Sequence, residues 1–234
     1  MTHFLVSTEW LAEHLTDDNV VVVDASWYMP AAGRKGYEEY LQSHIPGAVF
    51  FGIDDIADKR TTLPHMLPRP EEFAAAVGAL GIADTDTIIV YDEAGVFSAP
   101  RVWWTFNVMG ARDVRVLDGG GPKWRAETRP TEAGQTMRTP KIFYPGFRPE
   151  LVDSFADVRN YSATGAKAIV DARPGDRFRG EAPEPRPGLA SGHIPGSLSV
   201  PSGSLSVDGH LRPANELHAI FAEAGIDLEK PIVT

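Results

Sequence analysis

Two kinds of apolar pattern alternate along the first half of the chain. Val20-Val21-Val22-Val23 is an unbroken β-branched run ending at Asp24, the pattern of a strand buried on both faces in a parallel sheet. Ala48–Phe51, Thr87–Tyr91 and Val114–Leu117 read as further strands. Between them the pattern is helical. Ser7 to Leu15 sets Trp10, Leu11 and Leu15 on one face, with Ser7 able to cap the helix. Gly36 to Gln42 predicts a second helix. Arg69 to Leu80 predicts a third, with Pro70 and two glutamates in its first turn and Gly81 as its stop. Ser98 is expected to cap a fourth, running through Met109 and ended by Gly110. Gly119-Gly120-Gly121-Pro122 then leads into a turn of helix around Trp124. Asp54 to Pro68 is polar and irregular. Strands alternating with helices predict a parallel α/β unit.

Residues 129–150 carry Pro130, Gly134, Pro140, Pro145, Gly146 and Pro149 without either periodicity. That composition is a semi-stiff linker, so domains are expected at 1–128 and 151–234. Past it the pattern restarts. Ser154 begins a helix with Asp157 three residues on as a capping-box partner. Ala168-Ile169-Val170-Asp171 repeats Val21-Val22-Val23-Asp24 after 147 positions, and His193-Ile194-Pro195-Gly196 repeats His44-Ile45-Pro46-Gly47 after 149. Arg212-Pro213 repeats Arg69-Pro70 after 143, and Gly225-Ile226 repeats Gly81-Ile82 after 144. Four landmarks in register define a duplicated domain. Ile232-Val233-Thr234 then aligns with Ile89-Val90-Tyr91, and nothing corresponds to the first copy's later loop, helix, strand and glycine-rich turn. The second copy is therefore expected to lack about 40 residues, and the chain to be a fragment.

Composition narrows the function. With 32 acidic against 22 basic residues the formal charge is −10, which argues against nucleic-acid binding. No run of 18 apolar residues could span a membrane, and no basic region followed by a long apolar run opens the chain. A cytoplasmic location is expected. The 234 residues contain no cysteine, so among them there is no disulfide, thiolate metal site or cysteine nucleophile.

Several motifs together carry a resemblance to a known family. They are Val-Asp-Ala at 23–25 and 170–172, the two His-Ile-Pro-Gly turns, and His65-Met66-Leu67-Pro68. With them stand Ala99-Pro100-Arg101-Val102-Trp103-Trp104, Phe147-Arg148-Pro149-Glu150-Leu151-Val152, Arg177-Phe178-Arg179-Gly180 and Glu184-Pro185-Arg186. Across essentially its whole length the chain resembles the two-domain rhodanese-type sulfurtransferases, and among them the 3-mercaptopyruvate branch. The resemblance implies an α/β fold of two tandem rhodanese-like domains, each a mostly parallel sheet flanked by helices, the second incomplete here. It implies that a catalytic cysteine opens a six-residue loop just after the strand ending at Thr234. That cysteine would carry sulfur from 3-mercaptopyruvate as a persulfide to a thiol, thioredoxin included, or to cyanide. No cofactor is expected. A thiosulfate-specific enzyme and a non-catalytic rhodanese-like binding module are the alternatives.

The candidate site residues divide in the same way. Read alone, Arg177 and Arg186 are surface ion-pairing residues in a loop rich in Asp176, Glu181 and Glu184. The resemblance implies that they bind the carboxylate and carbonyl of the substrate, which a planar guanidinium can grip bidentately. Read alone, His65 is a loop histidine packed by Leu63 and Pro68. The resemblance implies that Asp54 and His65 form a catalytic relay with the active-site loop, the histidine moving a proton and the aspartate fixing its tautomer. His44 and His193 read as structural turn histidines, and no metal is implied. Trp103 and Trp104 read as core. In the first copy the loop equivalent to the active-site loop holds Asp92-Glu93-Ala94-Gly95. Two carboxylates and no nucleophile would repel an anionic persulfide, so this half is expected to be catalytically silent.

Overall fold

The computed structural model describes residues 4–186 and 188–234. They fall into two compact units, 1–151 with 208–210, and 152–207 with 211–234.

The first unit is built on a five-stranded parallel sheet. Its elements run β1 (Leu5–Val6), α1 (Thr8–His14), β2 (Val20–Asp24), α2 (Gly36–Gln42), β3 (Val49–Phe50), α3 (Pro70–Ala79), β4 (Thr87–Tyr91), α4 (Ala99–Val108), β5 (Asp113–Leu117) and α5 (Gly120–Ala126). The strand order is β1-β5-β4-β2-β3, every pair parallel. Both faces of the two central strands are covered, which is why their apolar runs are unbroken. Val21, Val23, Ile88 and Val90 face a layer with Phe73, Val77, Val102 and Phe106 of α3 and α4. Val20, Val22, Ile89 and Tyr91 point the other way, toward Leu11 of α1 and Trp124 of α5. Local signals place the helix ends. Ser7 Oγ accepts from Trp10 N at 3.1 Å, and Glu72 reaches back to Arg69 N at 3.3 Å. Ser98, expected to cap α4, makes no such bond: its Oγ accepts from Trp27 N instead, and the carboxylate of Asp92 serves the amides that open the helix.

Residues 129–150 lie against the first unit as a strap rather than standing clear of it. His44 and Glu132 exchange backbone hydrogen bonds, Lys141 N donates to Gly78 O, and Arg148 N donates to Val108 O. Lys141 Nζ lies 2.9 Å from both oxygens of Asp86. At Gly110, φ +93°, a Cβ would come within 2.6 Å of the Gly146 backbone, so the strap passes where only glycine permits it. Phe143 is buried, its ring 5.4 Å from Phe73 and 6.3 Å from Phe106. The apolar pattern gave no strand or helix here because the strap buries single side chains at irregular intervals.

The second unit contains α6 (Phe155–Thr164), β6 (Ala168–Asp171), α7 (Gly175–Phe178), β7 (Leu198–Ser199), β8 (Ser206–Val207), β9 (His210–Leu211, shared with the first unit's segment), α8 (Ala214–Glu223) and β10 (Ile232–Val233). Its parallel strands run β10-β6-β7, the order of β4-β2-β3 in the first unit. Ser154 and Asp157 form the reciprocal capping box expected of them. The ladder sharpens the internal alignment. Ala168 pairs with Ile232, whereas its counterpart Val21 pairs with Ile88. The last strand therefore matches Ile88–Val90, one position earlier than Ile89–Tyr91, in step with the spacing of Gly81 and Gly225. The core is small, formed by Val170, Val200 and Ile226 with Leu198, Ile220, Phe221 and Ile232 against it.

Truncating Phe143 to alanine should remove about 3–5 kcal/mol from the unfolding free energy of the first unit, read by urea denaturation. Alanine at the exposed Tyr144 should change it by less than about 1 kcal/mol.

Candidate active site

In open parallel sheets, function gathers beyond the carboxyl ends of the strands. In the first unit Asp92 directly follows β4, and its carboxylate is almost fully enclosed. Asp92 Oδ2 accepts from the backbone N–H groups of Phe97, Ser98 and Ala99, each at 2.8 Å, and Oδ1 accepts from Ala94 N at 2.9 Å. The turn from β4 into α4 is thus an anion cradle made of main-chain donors and a helix N-terminus, and its occupant is the chain's own carboxylate. Beside it, Glu93 pairs with Arg125 (Nη1 to Oε1 2.7 Å) and Ser26 Oγ accepts from Glu93 N at 3.1 Å. An incoming anion would meet a filled cradle and a second carboxylate.

Asp24 ends β2 nearby. Its Oδ1 accepts from Ser26 N at 2.9 Å, while Oδ2 has no hydrogen-bond partner. Burial pushes this carboxyl up to about 6, against the pull of the Ser26 hydrogen bonds. Burial also raises the Tyr91 hydroxyl well above its usual value.

The structure brings Asp54 and His65 together, within the first unit. His65 Nδ1 lies 3.4 Å from Asp54 Oδ1, and the pair differs sharply in exposure, the aspartate side chain at 65% and the histidine at 19%. His65 has φ +58°, a left-handed conformation rare for a residue with a side chain and worth a functional explanation. Its carbonyl accepts from Arg101 Nη2, and the Arg101 guanidinium lies over the Trp104 ring at 4.7 Å. Sequence reasoning missed Trp27. Its indole N–H donates to Asp54 Oδ2 at 2.8 Å, and its ring meets His65 edge to face at 4.9 Å. The only sequence signal was a lone tryptophan three residues past a buried strand.

In the second unit, Asp171 occupies the place of Asp24, and its Oδ1 accepts from Arg173 N at 3.0 Å in the same turn. Here the carboxylate is answered: Arg173 Nε and Nη2 reach its two oxygens at 2.9 and 2.5 Å. Arg173 Nη1 also donates to Glu184 Oε1 at 2.8 Å, and Glu184 Oε2 accepts from Arg177 Nη2 at 2.5 Å. Glu184 is enclosed, its side chain 4% exposed, and the Arg177 guanidinium, aided by Arg173, holds its carboxyl below the usual range. Arg177 is thus fixed by a buried carboxylate, the ion pair that the residues alone suggested. Arg186 is exposed, two residues beyond Glu184.

The other candidates take structural places. His44 is buried, with Nδ1 2.7 Å from Tyr40 O and Nε2 3.1 Å from Glu132 and Thr136. His193 stacks on Phe178 at 3.8 Å with Nδ1 2.8 Å from the Phe178 carbonyl. Trp103 packs on the core and donates to Val114 O at 2.9 Å. Among the described residues no cluster of side chains has the makings of a metal site, and no helix is long and apolar enough to cross a membrane.

The parallel sheet and its loop-to-helix turn at the end of β4 are of α/β type, and residues 7–127, which contain them, match the family model of the rhodanese-like domain. The chain is 43% identical over 233 residues to the 3-mercaptopyruvate sulfurtransferase of Escherichia coli K12, covering 99% of this chain and 83% of that protein. It is 42% identical over 252 residues to the mitochondrial thiosulfate/3-mercaptopyruvate sulfurtransferase 1 of Arabidopsis thaliana, covering 98% of this chain and 66% of that one. The crystal structure of SseA, a 3-mercaptopyruvate sulfurtransferase from Escherichia coli, superposes with a TM-score of 0.92 at 41% identity, covering 99% and 87% of the two chains. The chain belongs to the rhodanese family, among the two-domain sulfurtransferases of the 3-mercaptopyruvate type.

Asp92→Ala would leave four amides without their acceptor, those of Ser98 and Ala99 buried, and should cost about 3 kcal/mol in unfolding free energy, measured by denaturant titration. Asp24 carries a pH signature. Its folded value of about 6 lies above the ordinary 3.8, so its stabilising contribution is complete below about pH 4 and is lost as pH rises through about 6. Asp24→Asn should therefore match the parent near pH 4 and exceed it at pH 8 by up to about 3 kcal/mol, measured by unfolding at both pH values.

Proposed function

We propose that this protein transfers sulfur from 3-mercaptopyruvate to a thiol, thioredoxin included, or to cyanide. The observation that carries the reading is the identity of 43% with a 3-mercaptopyruvate sulfurtransferase across nearly the whole chain. In this reading the nucleophile is a cysteine just beyond Thr234, opening the loop that corresponds to the one holding Asp92 in the first unit. The present residues then supply the substrate clamp and the proton relay, and by themselves would be inactive. The thiolate attacks the substrate sulfur, the carbon–sulfur bond breaks, and the electron pair leaves with carbon as the enolate of pyruvate. Protonation of that carbon gives pyruvate, and the enzyme keeps the sulfur as a persulfide. A second thiolate or cyanide takes the outer sulfur and returns the cysteine thiolate.

Each proposed role has a physical warrant. Main-chain amides of the kind that hold Asp92 would stabilise the thiolate and the persulfide and lower the thiol pKa. His65, oriented by Asp54, would take the thiol proton. Arg186, exposed two residues beyond Glu184, would grip the substrate carboxylate, while Arg177, tied on one edge to Glu184, would offer its remaining N–H groups to the carbonyl. The first unit is silent because Asp92 fills its own cradle. A thiosulfate donor is the second reading, favoured by the similarity to the thiosulfate/3-mercaptopyruvate sulfurtransferase 1 of Arabidopsis thaliana.

In the protein carrying the residues that follow Thr234, Arg186→Ala should lower kcat/KM for pyruvate release from 3-mercaptopyruvate about 100-fold, the loss of one charge-assisted bidentate contact. Thiosulfate turnover, followed as thiocyanate, should change much less. An unchanged rate of pyruvate release would remove the clamp assignment, and a larger loss with thiosulfate would favour the second reading.

A further inference from the structure

Trp27 has no role in the relay described above, yet it touches both of its members. It follows β2 at the carboxyl end of the sheet and is half-buried. Its backbone N–H donates to Ser98 Oγ at 3.2 Å, and its ring stacks at 6.4 Å on Phe97, itself held through its amide by Asp92. The tryptophan is thus anchored to the turn from β4 into α4 that the Asp92 carboxylate holds. From there it reaches out to an exposed carboxylate. Asp54 stands on an irregular segment with its side chain largely in water, where a carboxylate is free to rotate between rotamers. The indole N–H at 2.8 Å from Oδ2 removes that freedom and leaves Oδ1 as the oxygen facing His65 Nδ1. The indole and imidazole rings meet edge to face, their centroids 4.9 Å apart, so the same tryptophan also restricts the imidazole.

We propose that Trp27 is a positioning residue for the relay: its indole N–H fixes the Asp54 carboxylate so that the charge on Oδ1 stays beside His65 Nδ1, favours the proton there and leaves Nε2 as the basic nitrogen. The inference rests on the catalytic reading of Asp54 and His65, and it adds the group that orients them. An aspartate can select a histidine tautomer only while its own orientation is set, and partners of this outer kind commonly change rates 10- to 100-fold when removed.

The test is Trp27→Phe, which keeps an aromatic edge against His65 and deletes the single N–H donor. The ring nitrogens of His65 are observed by ¹⁵N NMR in the 234-residue chain above the pH at which histidine titrates. The parent should show Nδ1 protonated and Nε2 bare. Trp27→Phe should shift the population toward the Nε2-protonated form, as Asp54→Asn should. In the protein carrying the residues after Thr234, kcat for pyruvate release should fall about tenfold in Trp27→Phe with KM changed less than twofold. A variant with the parent tautomer ratio overturns the proposal, whatever its rate. A parent without sulfurtransferase activity overturns the catalytic reading, while the NMR result still decides whether Trp27 orients the pair. A folding failure is recognised by the loss of dispersed amide signals, and Trp27→His, with a ring N–H of its own, should then restore both the fold and the parent tautomer; failure to restore the tautomer in the folded variant counts against the proposal.

Discussion

The first unit depends on how its parallel sheet ends. Parallel strands deliver their carboxyl ends to one edge, and each following loop must turn back into a helix whose first amides have no partner within the helix. At β4 that need is met by Asp92, one carboxylate that takes three successive amides at 2.8 Å and a fourth from within the loop. The same arrangement fixes Phe97 and Ser98, through them Trp27, and through Trp27 the Asp54–His65 pair. A single buried charge thus organises the edge of the unit where the side chains of interest lie.

The two copies of the repeat treat corresponding positions in opposite ways. Asp24 and Asp171 end equivalent strands and accept from the amide two residues later with the same geometry. In the first unit that second residue is Ser26, and the aspartate is buried without a cation, so its carboxyl is driven upward. In the second it is Arg173, which clasps the carboxylate and goes on to hold Glu184 and, through it, Arg177. One substitution turns a desolvated acid into the root of an alternating chain of charges. Duplication preserved the turn, and the residue after it decided the electrostatics.

Family membership and the geometry support one another without being the same argument. The relatives establish what kind of protein shares this fold. The hydrogen bonds show how the loop after β4 is satisfied: its anion-holding amides are taken up internally by the Asp92 side chain.

Much of this was legible in the residues. Continuous β-branched runs alternating with helical patterns point to a two-sided parallel sheet, and a His-Ile-Pro-Gly turn repeated in register with Val-Asp-Ala points to duplication, so the α/β class and the two copies were legible in the chain itself. The candidate side chains at 54, 65, 177 and 186 were also readable, through their motifs. Tertiary structure decided what those groups touch. Residues 129–150 look like a linker because isolated anchors such as Phe143 have no period, yet they close over the first unit. Ser98 has the composition of a helix cap, but Asp92, six residues earlier, takes the amides of Ser98 itself and of Ala99, and the Ser98 hydroxyl is engaged by Trp27 N instead. The one-residue slip in the last strand was invisible among repeated isoleucines and valines and was fixed by the ladder. Trp27 gained its meaning only when folding brought its N–H, across 27 residues of chain, to Asp54. Periodicity records which faces are buried; it carries no record of which distant polar atoms will meet, because those distances are set by packing.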